Sequence, residues 1–291
     1  MTDYFEDIIK NKNQTIGAKV VFFDIVSYSK RRTQSQAMVI NSMIECLDIA
    51  RAETAKKYLH YSEKNSISFR DDVLFLPAGD GAAVCFPFEG LHDVHLFFAK
   101  ELIKEVVTRR ENNKCEKYEE NGWCNCHANF ALSIGVAEGK CVLYRDLNNR
   151  YNIAGNAINL AARVMGQADA DQILFSDDAY WQLIDLVEDP HMDENFKRFS
   201  EVRIKHGEKI SIYQYVGNET FLNSEEPEKL ELSRRSRNMT KQMEMLGFPA
   251  MPDAEKMDFA KLKSFMVDFE TLLNTFGKMA IDEQANSKDD Q

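Results

Sequence analysis

Residues 19–24 form an unbroken apolar run, Val20-Val21-Phe22-Phe23 between Lys19 and Asp24, without the alternation of a half-exposed strand. Such a run predicts a short strand buried on both faces and ending at an acid. Ile40, Met43, Ile44 and Leu47 then recur at helical spacing and predict a helix over 35–59. Two apolar runs, 73–76 and 82–86, flank Ala78-Gly79-Asp80-Gly81, the turn composition of a hairpin, and Pro77 places the first run at a bulge or a sheet edge. A second helix is predicted over 91–110, followed by a polar loop over 111–122. Residues 127–137 read as a strand, Glu138-Gly139-Lys140 as a turn and 141–144 as a shorter strand. A third helix is bounded by Gly155-Asn156 and Gly166. A strand at 173–175, a helix at 177–186 and strands at 199–205 and 209–215 complete the pattern. The implied class is α+β, a mixed sheet with helices packed on it.

Residues 218–231 are acidic and polar enough for a linker, and Phe259, Leu262, Phe265, Met266, Phe269, Leu272, Leu273 and Phe276 then follow a helical stripe. The expected organisation is an N-terminal segment (1–17), a principal domain (18–217), the linker, a helical extension (232–281) and a disordered tail (282–291).

Composition narrows the function. The 291 residues carry 36 Lys and Arg against 47 Asp and Glu, a formal charge of −11, which disfavours a protein that grips nucleic acid through its overall field. Phosphate-bearing ligands must instead be held locally, by metal or by a few placed cations. No stretch has the length of a membrane span and the start lacks a signal-peptide pattern, so the expected setting is the cytoplasm, with no membrane partner. Cys46, Cys85, Cys115, Cys124, Cys126 and Cys141 accordingly read as reduced thiols. The spacing of Cys115, Cys124, Cys126 and His127 matches no common zinc finger or ribbon, and Cys126-His127 are expected to open a strand, which argues against metal there.

Asp24, at a strand end, and Asp80, in a tight turn, are each unremarkable alone, since such acids ordinarily cap or turn the chain. Together they matter: a strand end beside a hairpin tip brings two carboxylates close enough to need a cation, and carboxylate ligands suit Mg²⁺ or Mn²⁺. The turn that follows, Ile25-Val26-Ser27-Tyr28-Ser29, leads into a helix and offers backbone amides to a phosphate. On the third helix, Asn159 and Arg163 are four apart and share one face. By itself this is an ordinary amphipathic helix with a surface Arg; beside a two-carboxylate site it supplies a cation for developing phosphoryl charge.

These residues carry a resemblance. Phe22-Phe23-Asp24-Ile25-Val26-Ser27-Tyr28-Ser29 resembles the first metal motif of class III nucleotide cyclases, with Ser27 and Ser29 where that family often has Gly and Thr. Gly79-Asp80 resembles the second, and the stretch from Tyr151 to Arg163 resembles the motif that carries the transition-state Asn and Arg. The resemblance implies a cyclase-like (ferredoxin-like or palm) sheet in which Asp24, Asp80 and the Ile25 carbonyl bind two divalent cations. It further implies that Phe23, Ile25, Ser27, Tyr28 and Ser29 line the substrate, Asn159 orients the ribose and Arg163 meets the transition state. Lys205 falls near the family's triphosphate-binding Lys, with Arg150 a weaker match. A homodimer with shared sites is implied, one chain giving the acids and the other Asn159 and Arg163.

The family's base selectors fall at Leu76 and Asn152, where adenylate cyclases typically have Lys and Asp and guanylate cyclases Glu and Cys. Neither pair is present here. With its stand-alone domain and simple tail, the chain thus resembles the bacterial pyrimidine cyclases of Pycsar antiphage systems, whose cyclic UMP or cyclic CMP acts on a separate effector. UTP is placed first as the commoner substrate of that group, then CTP, then ATP. A catalytically dead nucleotide-binding module is the rival from another class, disfavoured by the presence of all four key residues. A diguanylate cyclase or polymerase palm lacks its Gly-Gly-Asp-Glu-Phe type signature here.

Overall fold

The computed structural model describes residues 4–10, 15–204, 208–245, 261, 263 and 264. In chain order the elements are α1 (Tyr4–Lys10), β1 (Thr15–Ile25), α2 (Thr33–Lys57), α3 (Leu59–Asn65), β2 (Leu74–Ala78), β3 (Gly81–Phe86), α4 (Val94–Asn112) and α5 (Glu116–Asn121). There follow β4 (Leu132–Arg145), β5 (Tyr151–Gly155), α6 (Asn156–Met165), β6 (Gln172–Ser176), α7 (Asp177–Leu186), β7 (Phe196–Arg203), β8 (Lys209–Tyr215) and α8 (Glu228–Met245). The strands form one mixed sheet in the order β2-β3-β1-β4-β6-β8-β7, with β5 beside the second half of β4. Only the β4–β6 pair is parallel. The α+β class expected from the chain is the one observed.

Alternation along the central strands sorts the core into two faces. Val21, Phe23 and Ile25 of β1, with Leu132, Ile134 and Val136 of β4, pack under α2, α4 and α7 through Val39, Met43, Leu102, Val106 and Leu183. Ile16, Ala18 and Val20 point the other way, with Leu74, Leu76, Ala83, Cys85 and Ala137, under Ala157 and Ala161 of α6 and Phe5 of α1. Both faces of β1 are therefore covered along most of its length, as its unalternating sequence implies. Each large side chain so buried contributes roughly 1.5–3 kcal/mol.

Three sequence expectations are corrected. Glu138-Gly139-Lys140 do not turn: β4 runs straight through them, Gly139 opposite Ala18 and Glu138 opposite Lys19. The reason is tertiary, because β1 offers a full-length partner and the Lys19 ammonium, itself buried, lies 3.1 Å from the Glu138 carboxylate. The true turn follows at 146–150, and the unforeseen strand β5 returns from it. Residues 127–131 precede the strand rather than open it, and the expected loop at 111–122 contains the end of α4 and all of α5.

The chain divides into two units, Met1–Glu225 and Glu226–Gln291. Helix α8 begins inside the stretch read as linker. The Pro227 carbonyl accepts from the amides of Leu230 and Glu231, and Glu228 and Glu231 place acid in the first turn, where the helix dipole favours it. The apolar stripe from Phe259 to Phe276 and the tail over 282–291 lie outside the described residues. Among the described residues, no helix is long and apolar enough to cross a membrane.

Candidate functional site

Strand β1 reaches past the end of its pairing with β3, which stops at Phe23 opposite Ala82. Asp24 therefore lies beside the tip of the β2–β3 hairpin, a two-residue turn of Gly79 and Asp80 closed by the Ala78–Gly81 pair. Gly79 has φ +74°, which an L side chain rarely adopts. Pro77 sits on the outermost strand, where a missing amide donor is tolerated. A Cβ on Gly81 would fall 2.0 Å from the Phe23 carbonyl oxygen and 3.0 Å from Asp24 Oδ1, so only glycine permits this approach.

The two acids are neighbours. Asp24 is pushed up to about 6, first by burial and then by the charge of Asp80, while hydrogen bonding from the Ile25 backbone pulls the other way. Two neighbouring carboxylates, one half-buried, make an anionic niche with hard oxygen donors. A divalent cation fits such a donor set.

After Asp24 the chain turns sharply. Val26 still donates to Ala131 O at 3.0 Å, Ser27 adopts the left-handed conformation (φ 57°, ψ 28°), and Tyr28–Lys30 form a single 3-10 turn. Ser29 is exposed, and Tyr28 packs partly against the core. The side chain of Phe23 is 0% exposed, beneath α2 and α4, and Ile25 is likewise inward. Only their backbone is available to a ligand. The period-two alternation of β1 dictates this, since Phe23 and Ile25 flank Asp24 and must face the opposite side.

The sequence reading missed Arg31, which is 4% exposed. Its guanidinium donates to Cys126 O at 3.1 Å and Asn129 O at 2.7 Å, while the Arg32 amide donates to Asn125 Oδ1 at 2.9 Å. The turn after Asp24 is thereby tied to the 113–131 segment. A basic residue beside an exposed-looking helix start carried no sequence signal of burial.

Helix α6 starts directly from β5 and docks on β4 at Gly135, where a Cβ would meet Met165 N at 2.2 Å and Ala161 O at 2.3 Å. Ala157, Ala161 and Val164 face the sheet. Asn159 and Arg163 consequently lie on the outer side, together as the spacing required. Asn159 Nδ2 donates to Gly155 O at 3.1 Å, and Arg163 Nη1 lies 3.3 Å from Glu208 Oε2. Within one chain these partners are not the acids: the structure sets Asp24 beside the hairpin tip that carries Asp80, and bonds Asn159 to its own helix start.

Leu76 is buried in the α6-side cluster, and Asn152 lies on β5, a strand in contact with β2. Asn152 Oδ1 accepts from the Ile153 amide at 2.7 Å, which fixes the orientation of its side-chain amide. Arg150 is exposed in the β4–β5 turn, and Lys205 lies outside the described residues.

Residues 91–217 match the family model of the adenylate and guanylate cyclase catalytic domain. Over that stretch, which includes Asn159 and Arg163 and begins beyond Asp24 and Asp80, the chain is similar to nucleotide cyclase catalytic domains. No curated protein matches the chain. Among solved structures, the guanylate cyclase domain of RhGC from Catenaria anguillulae, in complex with GTP, is 16% identical, with a TM-score of 0.48 over 70% of this chain and 98% of that one. The adenylyl cyclase CyaB from P. aeruginosa is 18% identical, with a TM-score of 0.46 over 72% of this chain and 98% of that one. The adenylate/guanylate cyclase/hydrolase from Silicibacter pomeroyi is 19% identical, with a TM-score of 0.47 over 70% and 99%.

Proposed function

We propose that this chain, cyclase-like over residues 91–217, is a metal-dependent nucleotide cyclase that converts UTP to 3′,5′-cyclic UMP and pyrophosphate. The observation that carries the reading is the placement of Asp24, at the end of β1, beside the Gly79–Asp80 tip of the β2–β3 hairpin. Held by Asp24, Asp80 and the Ile25 carbonyl, two divalent cations, Mg²⁺ or Mn²⁺, would neutralise triphosphate charge and lower the pKa of the ribose 3′ hydroxyl. The backbone of Ser27, Tyr28 and Ser29 lies beside the acids and receives phosphate oxygens, with Lys205 a further phosphate partner. Asn159 orients the ribose. Arg163 leaves its exposed partner Glu208 to meet the charge that develops as the 3′ oxygen bonds to the α-phosphorus and the bond to the pyrophosphate oxygen breaks. By the cyclase resemblance, a second copy completes each site with its own Asn159 and Arg163, and a homodimer holds two.

One feature supports a pyrimidine. Leu76 offers no hydrogen bond to a purine edge, and a selector without its polar group forfeits discrimination of orders of magnitude. Asn152 Oδ1 accepts from the Ile153 amide, and its side-chain nitrogen is a donor. That donor can meet a uracil carbonyl, and the order UTP before CTP rests on the Pycsar resemblance. The biological role follows the Pycsar resemblance: a second messenger for a separate effector in antiphage defence. The test is incubation of the purified protein with Mn²⁺ and all four ribonucleoside triphosphates, with products identified by mass. Cyclic UMP with pyrophosphate is expected. Dominant cyclic AMP or cyclic GMP removes the pyrimidine assignment, and nucleotide binding without turnover removes the enzyme.

A further inference from the structure

The 113–131 segment gathers three thiols. Cys115 precedes α5, Gly122 ends it in the left-handed conformation (φ 69°), and the chain returns through Cys124 and Cys126. Cys115 Sγ and Cys126 Sγ are 3.6 Å apart, and the Cys126 amide donates to Cys124 Sγ at 3.3 Å. All three sulfurs lie within 4.8 Å of one another, the one such group of three His, Cys, Asp or Glu ligands among the described residues. A disulfide would need roughly 2.05 Å between sulfurs. Thiolates bound tetrahedrally at about 2.3 Å from zinc lie roughly 3.8 Å apart. The Cys115–Cys126 spacing is near that of the second arrangement, with Cys124 Sγ within 4.8 Å of both, and an amide donating to a ligating sulfur is a usual outer contact of such sites.

We propose that Cys115, Cys124 and Cys126 form a three-thiolate site for one zinc ion, with water in the fourth position. His127, the adjacent alternative ligand, is engaged by Ser42 Oγ of α2 at 2.9 Å from its Nδ1. Binding forms three Zn–S bonds and releases the protons of whichever thiols were neutral. The site braces the fold at a particular place. The Cys126 and Asn129 carbonyls hold the buried Arg31 guanidinium, and Asn125, between two of the ligands, holds the Arg32 amide. The ion therefore fixes the loop against which the turn after Asp24 is built. That this turn receives phosphates rests on the cyclase reading; the metal site does not.

The full chain, purified anaerobically without chelator, is expected to carry one equivalent of zinc by elemental analysis. The three thiols should resist a thiol reagent until a chelator removes the ion. Replacement by Co²⁺ should give the thiolate-to-cobalt charge-transfer band and the strong visible absorption of a tetrahedral site, and Cys124→Ser should lose both. Zinc should also slow amide hydrogen exchange over 113–131 and 25–32 in the wild-type chain, a readout that holds even where Cys124→Ser does not fold. Thiols that react equally with and without zinc, a cobalt spectrum of octahedral type, or a Cys115–Cys126 disulfide in the anaerobic protein would each overturn the site. None of these readouts depends on turnover, so an inactive enzyme that binds zinc refutes only the cyclase reading.

Discussion

Asp24 and Gly81 stand so close that a Cβ on Gly81 would come within 3.0 Å of the Asp24 carboxylate and 2.0 Å of the Phe23 carbonyl oxygen. The atom met most closely belongs to the backbone of a central strand and cannot swing aside. Gly81→Ala must therefore displace β3 from β1 or push Asp24 from Asp80. Overpacking of this kind costs about 1–3 kcal/mol, and a misplacement of about 1 Å at a reacting site costs about a hundredfold in rate. The expected variant is folded by circular dichroism, lower in Tm and at least about a hundredfold lower in kcat. Full activity in Gly81→Ala would show that the strand ends need not be this close.

The Asp24 carboxyl titrates near 6 in the folded chain against 3.8 ordinarily. A raised folded value favours the fold at low pH, and that contribution is lost as pH rises from about 4 through about 6. Metal-free protein is expected to lose roughly 1 kcal/mol over this window, the two-unit displacement being discounted for the solvent that reaches a half-buried group. Asp24→Asn removes this loss and raises the Tm of metal-free protein above about pH 6, while abolishing turnover. The same proton competes with the cation. Mn²⁺ affinity, measured by calorimetry, should climb up to about tenfold per pH unit below about 6 and level off above it. A flat profile would separate Asp24 from the metal.

Arg163 and Glu208 form an exposed pair at 3.3 Å, with the Glu208 side chain 58% accessible. Exposed pairs are worth about 0–1 kcal/mol, so a triphosphate can recruit the guanidinium at little cost. Glu208→Gln should change stability by under about 1 kcal/mol and leave kcat equal or higher. Arg163→Ala should lower kcat by roughly 10²–10³ with a smaller effect on KM, as loss of a transition-state contact does. Steady-state kinetics on both variants decide the matter: equal losses would mean that the pair acts as structure.

Much of this arrangement was legible in the chain because local pattern and tertiary demand agree there. The apolar run before Asp24, the glycine turn around Asp80 and the glycine-bounded α6 each stand where their patterns put them. The β4–β5 region was not legible, because Glu138-Gly139-Lys140 has turn chemistry that a full-length partner strand overrides. The burial of Phe23 was not read either: a motif names neighbours in sequence, whereas the strand's period of two sends alternate side chains to opposite faces. Arg31 was missed, and the three thiols were read against metal, because their meaning depends on contacts roughly a hundred residues apart for the arginine, and on a six-residue helix that folds Cys115 back for the thiols.

The division of labour between the two residue pairs leads to a mixing experiment. In one chain, Asp24 lies beside the hairpin tip that carries Asp80, while Asn159 and Arg163 bond to Gly155 and Glu208. If each working site takes its acids from one copy and its Asn and Arg from another, Asp24→Ala and Arg163→Ala are both inactive alone yet complementary. Random exchange of subunits makes half of the dimers mixed, and each mixed dimer holds one site with all four groups intact and one with neither. Equal mixing should therefore restore about a quarter of wild-type activity, a value set by the two-fold symmetry of the assembly. Restoration should require exchange, so cross-linking each variant beforehand should prevent it. Mixtures as inactive as their components, under conditions where exchange is shown by mass, would place all four groups in the same chain's site and remove the shared-site dimer.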